Sequence, residues 1–219
     1  LKLVYRKCDN SLISDMLPGF LHLDRGSWVA GGAARCLWFS QESRLRSTAS
    51  DGYKQDIDVF CKNPEQQQEI QAYVQNRYLS SKKHFDLDDP QIDFFKSPDV
   101  YTSNNATTFR NCRKTDNEFY SLQIIKRCQE SLTELLDSFD FYNCQFATNG
   151  IWMVASKAAI ASWENNTIMV NEQFHGEIKI ARILKYCIYG LHPTRELWQD
   201  ILNKSLATRK SGWNYDYQA

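Results

Sequence analysis

The chain has 219 residues, 26 Lys and Arg against 26 Asp and Glu, 42% apolar and 13% aromatic side chains. That length suits one domain, or a compact domain with a small helical appendage, and the apolar content excludes a disordered chain. With no net charge, no global basic field advertises nucleic acid. The seven cysteines (Cys8, Cys36, Cys61, Cys112, Cys128, Cys144, Cys187) are odd in number, scattered and without a Cys-x-x-Cys, and the four histidines have no zinc spacing. They read as reduced, mostly buried thiols. No apolar run is long enough to span a membrane and no signal-peptide pattern is present, so a cytoplasmic location is expected.

Near the start, Leu12-Ile13 and Met16-Leu17 predict a short amphipathic helix ending at Pro18-Gly19. Residues 28–30 read as a core strand stopped by Gly31-Gly32, with Ala33–Phe39 as the helix behind them. Glycines there let the backbone approach a phosphate, and the first N–H groups of a helix point at an anion. The plainer alternative is a tight turn. Arg35 would face phosphate or make a structural salt bridge.

Ser40–Gln55, rich in Ser and Arg, predicts a surface insertion carrying Arg44, Arg46 and Lys54; an ordinary solvated loop is the alternative. Asp56-Ile57-Asp58-Val59-Phe60 is an apolar strand with two carboxylates at i and i+2. Alternate strand side chains share a face, so the two acids emerge together, about 6.5–7 Å apart along the backbone. They could share a divalent cation, with room for a second about 3.5–4 Å away. The alternative is an edge strand with a solvated acidic face.

Asn63-Pro64-Glu65 is a helix start, predicting a helix to about Ser80 with Ile70, Tyr73, Val74 and Tyr78 on its core side. An acidic run, Asp86–Asp93, follows. Residues 100–109 read as a hairpin about Ser103-Asn104-Asn105, Phe119–Ile125 as a strand, and Ser131-x-x-Glu134 as a capping box. Phe139–Ala147 reads as an aromatic strand, turned by Asn149-Gly150 into Ile151–Val154. Asp140 within it would be desolvated unless paired with a cation or donor. The remainder is helical: Ser156–Trp163, Glu177–Tyr189 closed by Gly190, and Thr194–Lys204. In the middle helix Ile178, Ile180, Ala181, Ile183 and Leu184 supply the packed side and Lys179, Arg182 and Lys185 a basic one. Residues 177–210 are the most basic part, where RNA contact would fall.

Gly31-Gly32-Ala33-Ala34-Arg35 followed by Asp56-Ile57-Asp58-Val59-Phe60 resembles the signature of the nucleotidyltransferase superfamily. More narrowly it is similar to the head domain of poly(A) polymerases and CCA-adding enzymes, Gly-Gly-x-x-Arg-Asp…Asp-x-Asp, and to stand-alone phage nucleotidyltransferases. Cys36 stands where that pattern has Asp. The resemblance implies an α+β, polymerase beta-like fold: a mixed sheet flanked by helices over residues 1–155, with a C-terminal helical segment over 156–219 packed on it. It implies a metal-dependent enzyme moving an NMP from an NTP to an acceptor such as an RNA 3′ end, with an NTP and an RNA such as tRNA as partners. Asp56, Asp58 and Asp140 would hold two Mg²⁺ (or Mn²⁺) ions, Asp140 alternatively binding ribose. Gly31 and Gly32 would hold phosphate, with Arg35, Arg182 and Lys185 as further phosphate contacts. Two alternatives accompany it: transfer to a protein or small molecule, and an inactive nucleotide- or RNA-binding module of the same fold.

Overall fold

Residues 28–30 form the middle of a sheet that draws strands from most of the chain. The structure is a computed structural model and describes residues 1–8, 26–40, 56–83, 100–115 and 118–211. The expected helix at 12–17, the insertion at 41–55 with Arg44, Arg46 and Lys54, and the acidic run at 86–93 lie outside the described residues.

The strands are β1 (Leu3–Lys7), β2 (Trp28–Ala30), β3 (Ile57–Phe60), β4 (Val100–Thr102), β5 (Ala106–Thr115), β6 (Glu118–Ile125), β7 (Phe146–Thr148) and β8 (Trp152–Ser156). They lie in the order β1-β8-β7-β2-β3-β6-β5-β4. All neighbours are antiparallel except β3 and β6, which run parallel. A parallel pair needs a crossover, which residues 61–117 supply. A separate parallel pair joins β9 (Thr167–Ile168) to β10 (His192–Pro193). The helices are α1 (Gly32–Ser40), α2 (Pro64–Lys83), α3 (Leu132–Asp137), α4 (Lys157–Glu164), α5 (Ile180–Ile188) and α6 (Arg195–Ser211). The expected α+β class and the mixed sheet flanked by helices are thus found.

Strand alternation sorts the side chains into two layers. On one face Val29, Val59, Ile124, Phe146 and Met153 meet Leu37 and Trp38 of α1, Val74 of α2 and Ala159 of α4. On the other, Ala30, Ala147, Trp28 and Phe60 meet Leu135 and Leu136 of α3. A third cluster joins Phe141, Cys144 and Ile168 to Ile183 and Tyr186 of α5 and Leu197 of α6, so the C-terminal helices share a core with residues 141–144. Trp38, Phe109, Phe141 and Phe146 are fully buried. Each is worth roughly 1.5–3 kcal/mol of transfer free energy on that count.

Helix starts follow their sequence signals. Asn63 Oδ1 accepts from Gln66 N–H at 2.9 Å while Gln66 Oε1 accepts from Lys62 N–H at 2.7 Å. Replacing Asn63 by Ala should cost about 1 kcal/mol, read as a lower urea midpoint at unchanged slope; an unmoved midpoint would deny the cap its role. Ser131 and Ser156 cap α3 and α4 by accepting from Glu134 and Ala159 N–H. Along α2, Val74 is buried and Ile70 packs on the core, but Tyr73 is exposed.

Three expectations are corrected. Phe139–Ala147 is not one strand. Phe141 makes a single bridge to Val170, Tyr142–Cys144 form a 3-10 turn, and only Phe146 onward joins the sheet. The turn closes because Cys144 and Gln145 N–H bond back to the Phe141 and Tyr142 carbonyls. Phe141 and Phe146 therefore enter different cores. Second, the helix expected over 177–189 begins at Ile180, because Lys179 is extended (φ −85°, ψ 126°). Third, α5 buries Ile183 and Tyr186, leaving Ile180 and Leu184 exposed.

Candidate functional site

One row of residues crosses the whole sheet in register: Tyr5, Val154, Ala147, Ala30, Asp58, Gln123, Thr108 and Tyr101. Directly opposed residues share a face, so Asp58 lies on the side of Ala30 and Ala147, away from the Val29–Val59 core. Asp56 precedes β3 and shares that face by alternation. Gln123, opposite Asp58, donates from its Nε2 to Asp56 Oδ2 at 2.8 Å. The paired strand acids expected from the sequence are therefore present, with an amide from β6 beside them.

Asp58 is half-buried, whereas Asp56 is exposed. Burial is the larger cause, and the neighbouring Asp56 the second, that push the Asp58 carboxyl up to about 7. Lys185 and Arg182 of α5 act on it in the opposite direction. An acid kept this way is costly to ionise unless a cation arrives, and such costs concentrate at functional sites.

Asp140 is placed differently from expectation. Its carboxylate is nearly buried, and Arg182 binds it with both ends of the guanidinium: Nη2 donates to Oδ1 at 2.8 Å and Nε contacts Oδ2. Arg182 Nη2 also lies 3.6 Å from Cys144 Sγ, which is 2.7 Å from the Tyr186 hydroxyl. Burial, then the Asp140 charge, push the Cys144 thiol up to about 11. Burial opposes charge on Arg182, yet the Asp140 bond holds its pKa above the ordinary value. Among the described residues no three His, Cys, Asp or Glu side chains gather as a metal-ligand group. The structure thus pairs the Asp140 carboxylate with the Arg182 guanidinium.

The glycine pair also has local duties. Gly31 has φ +80°, a conformation that favours glycine, and its N–H donates to the Phe146 carbonyl at 2.8 Å. Its carbonyl accepts from Arg35 N–H, opening α1. The Gly31 N–H is therefore already engaged with protein; Gly32 begins the helix. Arg35 is buried, its guanidinium 4.4 Å from the Trp163 ring centroid and 5.0 Å from that of Tyr189. Gln145 and Asn143 near Asp140 are also buried: Gln145 Nε2 donates to the Leu136 carbonyl, and the Asn143 carbonyl accepts from Trp163 Nε1.

The structure brings Asp56 and Asp58 to one place, with Lys185 and Arg182 near enough to act on Asp58, and ties Asp140 and Arg182 to each other. Gln123, Cys144, Tyr186, Trp163 and Tyr189 complete the neighbourhood; by sequence the Phe119–Ile125 strand, which offers Gln123, is the alternative to Asp140 for the third-carboxylate position, and the other four are not picked out as site residues. Only the four-residue spacing of Arg182 and Tyr186 on one helix face signalled any of them.

Fold and site define an α+β protein whose mixed sheet carries a carboxylate pair on one face, beside a helix bearing cations. Among the described residues no helix is long and apolar enough to cross a membrane. The family model described as "Gad2: Gabija anti-defense 2 family protein" matches residues 3–166, and the chain belongs to that family. No curated protein matches the sequence.

This membership corrects the nucleotidyltransferase resemblance, and with it the expectation of an enzyme that moves an NMP from an NTP to an acceptor. The residues that carried the resemblance are short. Gly31 answers to a positive φ, and the acid expected to join Asp56 and Asp58 is held by Arg182. Each is a local requirement that many folds meet.

Proposed function

We propose that this chain counteracts Gabija defence during phage infection, acting in the host cytoplasm, and that the Asp56/Asp58 face is where it does so. The family description supports the first part. The observation that carries the second is Asp58 itself: a carboxylate half-buried beside another carboxylate opposes folding, and such violations are kept where function needs them. Asp56 and Asp58 fit a hard divalent cation such as Mg²⁺ or Mn²⁺, which commonly binds through one or two carboxylates and keeps several waters. A bound cation would neutralise the pair and let Asp58 ionise. Lys185 would then face an anionic group on the same ligand. An NTP and an RNA both present phosphate of that kind, and RNA contact would again fall within the basic stretch 177–210. Gly31, Gly32 and Arg35 support the floor of this face through the backbone of α1.

The test is phage plating on cells that carry Gabija, with and without the protein. Asp58→Asn and Asp56→Asn variants should accumulate normally yet lose rescue of plating by at least tenfold. Full rescue by Asp58→Asn would remove the carboxylate face from the mechanism.

A further inference from the structure

The family match ends at residue 166, yet α5, residues 180–188, reaches the sheet face of Asp58: its Arg182 binds Asp140, and the adjoining Phe139 lies edge-on to Phe60 on that face, ring centroids 5.9 Å apart. Lys185 and Arg182 both act on Asp58 from there. Something must hold that helix in place. Its buried apolar anchors are Ile183 and Tyr186, with Cys187 partly buried against the same core, while Ile180, Leu184 and Ile188 are exposed. Its first turn has no side-chain cap. Two polar ties compensate. One is the ion pair between Arg182 and Asp140, an Nη2–Oδ1 hydrogen bond with an Nε–Oδ2 contact beside it; the other joins the Tyr186 hydroxyl to Cys144 Sγ at 2.7 Å. Both run to residues 140–144, which are themselves fixed: Asn171 Nδ2 donates to the Asp137 and Phe139 carbonyls, and Asn171 N–H to the Asp140 carbonyl. Tyr142 N–H bonds to Met169, and Phe141 lies edge-on to Tyr186 with centroids 5.8 Å apart.

We propose that Asp140 is a positioning residue: through Arg182 it fixes the rotation of α5, so that Lys185, three residues on, is held toward the Asp56/Asp58 face. This rests on the reading of that face as the working site. A residue three positions along a helix lies on the same side, one turn away, so a fork that fixes the Arg182 guanidinium in two directions also fixes where Lys185 leaves the helix. The carboxylate expected to bind a ligand directly instead works at one remove, and the segment beyond the family match completes the site.

The test compares Asp140→Asn, Lys185→Gln and the double variant in the full chain, by rescue of phage plating on Gabija-carrying cells and by amide hydrogen exchange. Lys185→Gln should lower rescue at least tenfold, Asp140→Asn should do the same, and the double variant should be no worse than Lys185→Gln alone. In Asp140→Asn, exchange should rise at least tenfold in α5 while β2 and β3 keep their protection. Where Asp140→Asn does not accumulate, Arg182→Lys serves, because it keeps the charge and loses the fork. Losses that multiply in the double variant, or full rescue by Asp140→Asn or by Lys185→Gln, overturn the proposal. Asp58→Asn separates the two levels. Full rescue by it removes the underlying site, whereas loss there with full rescue by Asp140→Asn removes only the positioning role.

Discussion

Asp58→Asn should melt several degrees higher than the parent protein at pH 8 and without divalent cation, and the gap should close as pH falls to about 4. The sign follows from the direction of the shift. Asp58 titrates near 7 in the folded protein against 3.8 ordinarily, so between those values the folded state holds a proton that the unfolded state has released. Stability therefore declines as pH rises through this window and stays reduced above it. Roughly three units at about 1.4 kcal/mol each give an upper bound near 4 kcal/mol. Partial solvent access brings a realistic figure to about 2 kcal/mol. For a chain of this size that is about 4–8 °C in Tm. Asparagine has no charge to desolvate and escapes the penalty. Mg²⁺ at millimolar concentration should stabilise the parent at pH 8 and leave the variant unmoved, since only a ligand that prefers the folded state shifts Tm. Thermal melts at pH 4.5 and pH 8 decide the matter. Parallel pH profiles for the two proteins would show that Asp58 carries no such penalty.

Phe146→Ala should cost about 3–5 kcal/mol, the range for removing a buried aromatic ring. The ring is fully buried, 5.9 Å from Trp38 and 5.6 Å from Phe39 between centroids, in T-shaped and tilted arrangements. The rigid sheet and α1 frame this space, so collapse into it would be limited. Urea unfolding followed by tryptophan fluorescence should show the midpoint falling while the slope holds. Phe146→Leu, which refills part of the volume, should lose about half as much. A loss below about 1 kcal/mol in the alanine variant would mean that neighbouring side chains move in. The contact with Gly31 should survive, because it runs through the Phe146 backbone carbonyl.

What the sequence discloses about the fold follows the strength of its local signals. Asn63-Pro64-Glu65 and Ser131-x-x-Glu134 announce helix starts because each offers an acceptor to an orphan N–H, and both caps form as expected. Asn149-Gly150 announces a hairpin because glycine accepts the positive φ, and β7 and β8 pair across it. Phe139–Ala147 misleads for a physical reason. Aromatic residues favour strands when they lie on one sheet, but here Phe141 and Phe146 serve two cores, and the chain must turn between them. The distant partners Met169, Val170 and Asn171 anchor that turn beside its own backbone bonds.

The candidate site is half visible in the same way. Asp56 and Asp58 are legible because strand alternation alone puts them together. The pairing of Asp140 with Arg182 spans 42 positions and belongs to no local pattern. A buried acid in an apolar setting needs a cation, and sequence cannot say whether that cation is a metal or a guanidinium. The family is illegible from the motifs because Gly31-Gly32 and Asp-x-Asp each satisfy requirements that recur in unrelated chains.

Strand order bears on how the molecule is made. Among the described strands β1 pairs with β8, Leu3 opposite Ser156, and β2 closes against β7. During synthesis, β1 and one edge of β2 must wait until some 150 residues have left the ribosome before they meet their neighbours. Until then Trp28, Val29 and Ala30 have an open strand edge available to other chains. A fragment that stops short of β8 should therefore accumulate as aggregate, and the protein should depend on host chaperones while it is being made.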